Sequence, residues 1–202
     1  MTTTDPRTTD PTTTDPSTPD RTAPGPAADV WDARAIGDQP AWRPDALRRF
    51  VADARIALLS YVRADGRPGQ APIWYVESDG VVHLNVATGS PKHRALLREP
   101  RVCVTIQDER PPYRAVVFDA VAELTDQPER SATEGIEERY LGRIGGATSR
   151  RRSQEHFEAT GVTETTLRPT DVRGFDNTRD LNALTVAFLR VRPHLPLLRR
   201  LL

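Results

Sequence analysis

Residues Val81 to Val104 read VVHLNVATGSPKHRALLREPRVCV, and within this stretch the hydrophobic period changes three times. Val81 to Ala87 alternates apolar and polar residues as a strand does. Thr88, Gly89, Ser90 and Pro91 break the alternation. Pro91 to Leu97 then carries apolar residues at helical spacing, with Ser90 in the N-cap position and Pro91 at the first helical one. Val102 to Ile106 is strand again. A strand that feeds one short helix through a hydroxyl-rich loop and then resumes predicts a meandering sheet, not a series of βαβ crossovers.

The loop is also the first candidate site. The hydroxyls of Thr88 and Ser90 and the backbone N–H groups around Gly89 lie where a helix begins, a position suited to an anion. Lys92 adds a positive charge in the first helical turn, and it is the sole lysine among 28 basic residues, all the others being arginine. A compact ammonium on a flexible stem suits a single phosphate oxygen in a tight loop better than a guanidinium fork does. The plainer alternative is that Ser90 caps a surface helix and Lys92 is its solvated neighbour.

Outward from the loop, more strands are predicted. Ile56 to Val62 and Gln70 to Glu77 form a hairpin about Ala64-Asp65-Gly66-Arg67, and Ser78-Asp79-Gly80 turns the chain into Val81 to Ala87. Ala115 to Leu124 and Val162 to Arg168 bring the count to six. Helices are predicted from Asp45, from Asp126 with Pro128 and Glu129 as far as Gly142, and over Ser149 to Thr160, ended by Gly161. Asn177 or Thr178 caps a last helix with an apolar stripe of Leu181, Leu184, Thr185, Phe188 and Val191.

Three segments, APIWYV (Ala71 to Val76), Val81 to Val104, and PPYRAVVFDAVAEL (Pro111 to Leu124), carry a resemblance to the pyridoxamine 5'-phosphate oxidase-like superfamily of FMN-binding split β-barrels. The shared features are a Pro-x-Trp strand, a Ser-x-Lys loop, a helix ending in Glu-Pro-Arg-Val and a strand ending in Ala-Glu-Leu. The likeness spans residues 45 to 175 and is to actinobacterial-type members that use FMN or the 8-hydroxy-5-deazaflavin coenzyme F420. Near-total use of arginine over lysine fits the same type and favours the deazaflavin. The resemblance implies a six-stranded, mostly antiparallel split β-barrel with flanking helices. It also implies a homodimer with the cofactor in a shared groove, and hydride transfer to or from a small organic substrate. Ala71, Pro72, Ile73 and Trp74 would wall the ring, and Ala87, Thr88, Gly89, Ser90, Lys92 and Arg94 would hold the phosphate side. One departure is Ala120, where the family often has glycine. A non-catalytic cofactor-binding or sensory protein is the alternative on the same fold.

Composition sets the remaining bounds. Acidic and basic residues balance at 28 each, which points to neither nucleic acid nor an acidic surface. Cys103 is the single cysteine and sits in an apolar run, which suggests a reducing cytoplasm and a small buried hydrophobe rather than a nucleophile. No apolar stretch approaches the roughly 20 residues of a membrane span, and no signal-peptide core is present. His83 and His93 lack the companions a metal site needs. No catalytic triad or carboxylate pair stands out, so the proton donor is open, with Tyr75 and Tyr113 as candidates. Three regions are expected. Residues 1–29 form a Thr/Asp/Pro-rich tail of net charge minus three that should be disordered. Residues 30–176 form the barrel, and 177–202 a helical extension. Trp31 and Trp42, two exposed-looking tryptophans on the arm between tail and barrel, are expected to dock either on the folded body or on a second subunit.

Overall fold

The computed structural model describes residues 31, 33–35, 42–126, 131–178 and 181–191, so the expected tail at 1–29 lies outside the described residues. The elements in chain order are β1 (Arg34–Ala35), α1 (Pro44–Ala52), β2 (Ala57–Val62), β3 (Pro68–Ile73), β4 (Val76–Ser78), β5 (Val81–Ala87), α2 (Pro91–Arg98), β6 (Arg101–Gln107), β7 (Arg114–Asp126), α3 (Ile136–Thr160), β8 (Val162–Asp176) and α4 (Ala183–Val191). One sheet runs β3-β2-β6-β7-β8-β5-β4, with β1 attached to β8. Every pairing is antiparallel except the two-residue β1–β8 contact, where Arg34 faces Arg173. This is the split barrel that the sequence pattern implied.

Period-2 alternation builds the core. Val82, Leu84 and Val86 of β5, Val102, Val104 and Ile106 of β6, and Val116, Phe118, Ala120 and Ala122 of β7 all point inward and are buried. Each of the larger ones contributes about 1.5–3 kcal/mol by leaving water. Leu47, Phe50 and Val51 of α1 join the same cluster. The guanidinium groups of Arg55 and Arg114 lie 3.9 and 4.9 Å from the centroid of the Phe50 ring, and both donate to Asp108. That bridge ties the exit of α1 to the β6–β7 connection.

Both hairpin turns form as expected. Asp79 and Gly80 take φ of 52° and 78°, the left-handed pair that a two-residue hairpin loop requires. Other expectations need correction. The described residues hold eight strands rather than six, because β1 was not foreseen and the predicted strand Gln70 to Glu77 is divided into β3 and β4 by Trp74 and Tyr75. Asp126 ends β7 instead of starting a helix, since its carboxylate accepts a bond from Thr163 across the β7–β8 ladder at 2.5 Å. Gly142 does interrupt the helical run, at φ 70° and ψ 174°, and the two stretches of α3 fold together there. A Cβ on Gly146 would meet the Glu138 backbone at 2.7 Å, so only glycine permits that approach. β8 continues to Asp176, well past the predicted Arg168. Asn177 and Thr178 do not cap α4. Thr178 donates to Asp176, and Asn182 accepts from Thr185 N–H at 2.8 Å as the actual cap.

Of the two expected placements for the tryptophans, the structure has docking on the folded body. Trp31 is 2% exposed and Trp42 4%, both inside the core. Trp31 stands edge-on to Phe118 at 5.6 Å, and Trp42 edge-on to Phe50 at 4.9 Å.

Candidate functional site

A cleft of about 400 Å³ opens beside the predicted ring wall. Pro72, Ile73 and Trp74 line it from the end of β3, Asn85 from β5, and Ile136 and Glu137 from the start of α3. Its volume falls within the roughly 300–1,000 Å³ of ordinary small-molecule sites. β3 pairs only with β2, so its outer edge carries backbone groups that no neighbouring strand takes. Pro68 and Pro72 are tolerated in an edge strand because a missing N–H there breaks no ladder. Such an edge offers carbonyl and amide groups to a planar polar ligand.

The break at Trp74 and Tyr75 is bridged by α3. Tyr140 lays its ring on Trp74, centroids 4.8 Å apart and planes within 6°. Its hydroxyl accepts from Tyr75 N–H at 3.1 Å and donates to the Arg55 carbonyl at 2.7 Å, linking the two segments just beyond the last β2–β3 pair, Ala57 and Ile73. Burial pushes the Tyr140 phenol above its ordinary value. Tyr140→Phe should therefore cost about 1–2 kcal/mol, because a part-buried N–H loses its acceptor. Urea unfolding checks it: a midpoint equal to that of the unaltered protein would mean the hydroxyl bridges nothing. Tyr75 does not face the cleft. It is fully buried, its hydroxyl donates to the Val51 carbonyl at 2.7 Å, and burial raises its pKa, which removes it as a proton donor for the site. Tyr113 is half-exposed.

Asn85 and Ala87 share one face of β5, about 7 Å apart, so the loop from Thr88 begins where the cleft floor ends. Ser90 caps α2 as expected, accepting from His93 N–H at 3.2 Å. The loop amides, however, are not free. Thr88 N–H donates to the Gly161 carbonyl, Gly89 N–H to His93 Nδ1 and Ser90 N–H to the Ala87 carbonyl. Thr163 has already given its proton to Asp126, so Thr88 must donate to Thr163 in their 2.9 Å contact. Gly161 fits against Thr88 because it has φ 75° and no Cβ, which would lie 3.1 Å from the Thr88 hydroxyl. The Thr88, Gly89 and Ser90 amides, which the sequence suggested as an open cradle, are thus taken up within the chain.

Lys92 is half-buried, and loss of water lowers its pKa from the ordinary 10.5. Among the described residues no carboxylate or carbonyl partners its ammonium. The arginines nearby are occupied. Arg94 donates to the Gly89 carbonyl, Arg98 to the Arg94 carbonyl at 2.8 Å, and Arg101 pairs with Glu99 at 2.7 Å. Arg94 thus braces the loop. Cys103 is half-buried with a thiol pushed up by burial and by Asp119, as an unreactive side chain is.

Three residues at the site escaped sequence reasoning. Asn85 was legible as the polar member of an alternating strand. Tyr140 and Glu164 were not, because their partners lie 65 and about 80 residues away or across a sheet. Glu164 is buried, accepts from Ser131 Oγ at 2.8 Å and Ala132 N–H at 3.0 Å, and lies 3.8 Å from His83 Nδ1. It anchors the lead-in to α3, while Thr133 donates to Asn85 at 3.0 Å. His83 is held below its ordinary pKa chiefly by burial, with Glu164 pulling the other way. The unfolded chain then binds a proton at His83 more readily than the fold does. Stability from this corner is complete above pH about 6.5 and declines as the pH falls below it. Denaturation midpoints should drop between pH 7 and 5, and His83→Asn should flatten that drop. An unchanged profile in the variant would locate the sensitivity elsewhere.

Comparison with known proteins agrees with this geometry. A family model described as pyridoxamine 5'-phosphate oxidase matches residues 44–170. No curated protein matches the chain. Among solved structures, the conserved hypothetical protein Rv2991 from Mycobacterium tuberculosis is 25% identical, with 72% of this chain and 91% of that one covered and a TM-score of 0.58. An F420 reductase is 20% identical, with 62% and 94% covered and a TM-score of 0.49. An FAD-binding protein from Mesorhizobium loti is 19% identical, with 66% and 92% covered and a TM-score of 0.46.

Proposed function

This chain belongs to the pyridoxamine 5'-phosphate oxidase family, and from that premise we propose that it is a flavin- or deazaflavin-dependent oxidoreductase. In this reading coenzyme F420 or FMN lies along Ala71, Pro72, Ile73 and Trp74, with its phosphate on the Thr88 to Lys92 loop. The observation that carries it is Lys92, a half-buried cation with no anion among the described residues to offset its lost hydration. Burying a charge without a partner is costly, and a phosphate oxygen supplies the partner. The bound cofactor supplies hydride transfer to or from a small organic molecule. The chain supplies the rest: the outer edge of β3 for the ring's polar side, Asn85 on the cleft floor, and α3 as a cover against water. A homodimer with the groove shared between subunits follows from the family, and sedimentation at micromolar concentration should show it.

Titration of the purified protein with FMN and with F420, each followed by absorption, tests cofactor choice, and we expect F420 to bind. Saturation with neither would overturn the assignment. A second reading, a cofactor-binding protein without turnover, is favoured by the Tyr140 ring lying flat on Trp74, where it narrows access to the wall. That reading predicts binding without substrate-dependent oxidation of the reduced cofactor.

A further inference from the structure

We propose that the cavity between the exit of α1 and the β6–β7 connection binds a small organic acid, a single carboxylate on an apolar body. The cavity has a volume of about 450 Å³ and adjoins the ring-wall cleft, since Ile56 lines both. Ile56, Tyr140 and Leu189 give it an apolar wall, and Arg55, Asp108 and Arg114 a charged one.

The charged wall holds more donors than the chain uses. Asp108 accepts one Nε–H from each arginine, from Arg55 on Oδ1 at 3.0 Å and from Arg114 on Oδ2 at 2.6 Å, so both carboxylate oxygens are engaged. Arg55 Nη1 donates to the Phe50 carbonyl at 2.7 Å and to Asp53 at 2.8 Å. Among the described residues, Arg55 Nη2 and both terminal nitrogens of Arg114 have no acceptor. The two arginine side chains are only 16% and 23% exposed, which leaves the cavity as the outlet for these N–H groups. Asp108 and the Phe50 ring hold both guanidiniums in place, so a ligand meets donors that are already ordered.

Shape and charge select the ligand. A guanidinium fork matches a carboxylate with two parallel hydrogen bonds. Asp108 offsets one of the two arginines, and Asp53 is 67% exposed and screened by water. Glu109 and Arg110 are exposed at the rim and oppose each other. What remains is the charge of Arg114, which suits a monoanion better than a phosphate ester. A bare inorganic anion would leave the apolar wall uncovered, whereas an organic acid covers it. With its carboxylate at Arg114, the body of the molecule reaches the cleft past Ile56, as the substrate of the redox reaction. That step rests on the oxidoreductase reading; occupancy of the cavity does not.

Calorimetric titration of the full, cofactor-free chain with benzoate tests occupancy, with benzamide as the neutral probe of the same shape and phenyl phosphate as the dianion. We expect saturable benzoate binding, with benzamide weaker by roughly tenfold or more. Phenyl phosphate should also bind less tightly than benzoate. Arg114→Gln should erase the preference for benzoate over benzamide. Because Arg114 also ties down Asp108, Glu109→Gln gives an independent check: it alters an exposed position, the fold should persist, and benzoate alone should bind more tightly at low salt. Absence of saturable benzoate binding, equal affinity for benzamide, or indifference to both substitutions overturns the proposal. So does tighter binding of phenyl phosphate, which would assign the cavity to a phosphate ester. Benzoate binding by a chain that takes up neither FMN nor F420 would overturn the oxidoreductase reading and leave the acid site standing. In a chain that does take up cofactor, benzoate should shift the absorption of the bound cofactor, and an unmoved spectrum would overturn the substrate role.

Discussion

Lys92→Met should remove most of the protein's hold on a phosphate-bearing cofactor while leaving the empty protein as stable as before, or slightly more so. A charge-assisted contact contributes about 1.5–3 kcal/mol, which corresponds to roughly a tenfold to hundredfold loss of affinity. The stability half of the result follows from burial. Lys92 has its pKa lowered by desolvation alone, so the folded protein resists holding it charged. A base depressed in this way costs stability below its folded pKa, and the cost fades as the pH rises toward the ordinary lysine value. Methionine fills the same space without that cost. Affinity should follow the opposite course and weaken at high pH, as the ammonium needed for the phosphate is lost earlier than for a solvated lysine. Lys92→Arg keeps the charge and should retain part of the affinity, limited by the wider guanidinium. Calorimetric titration with FMN and F420, together with urea unfolding of the empty protein, separates the two effects. Unchanged affinity in Lys92→Met would place the phosphate elsewhere.

What the sequence made legible was local. The Val81 to Ala87 strand, the Ser90 cap, the Pro91 helix and both hairpin turns depend on neighbours in sequence, and the structure has each of them within a residue or so. The ring wall was recognisable from its Pro-x-Trp order, yet the division of that strand was not, because the cause is a tyrosine 65 residues away. Thr88 illustrates the same limit. Its hydroxyl looked available for an anion, and only the fold shows that Thr163 and Asp126 claim the proton. Lys92, by contrast, has no anionic partner among the described residues. No periodicity in Trp31 to Trp42 reveals which of its residues is covered, so the choice between the folded body and a second subunit needed the fold.

The arm supplies the other large expected effect. Trp31→Ala should destabilise the protein by about 3–5 kcal/mol, the usual result of truncating a buried aromatic residue whose surroundings cannot collapse. Trp31 is 2% exposed, packs edge-on against Phe118 and lies in the same cluster as Val116 and Val172. The arm near it is held by only a two-residue parallel contact with β8, Arg34 to Arg173 and Ala35 to Gly174, so the backbone alone is a weak tether. The side chains fix it. Trp31→Phe should cost much less, because phenylalanine keeps most of the apolar area and also removes the indole N–H, which is buried without an acceptor. Removal of residues 1–29 should leave the midpoint nearly unchanged, whereas removal of residues 1–41 should cost as much as Trp31→Ala or more. The family match begins at residue 44, so Trp31 and Trp42 lie outside the matched region, yet both belong to the core cluster. Thermal and urea unfolding of the four variants decides the point, and a Trp31→Ala protein as stable as the unaltered one would show that the core does not depend on it.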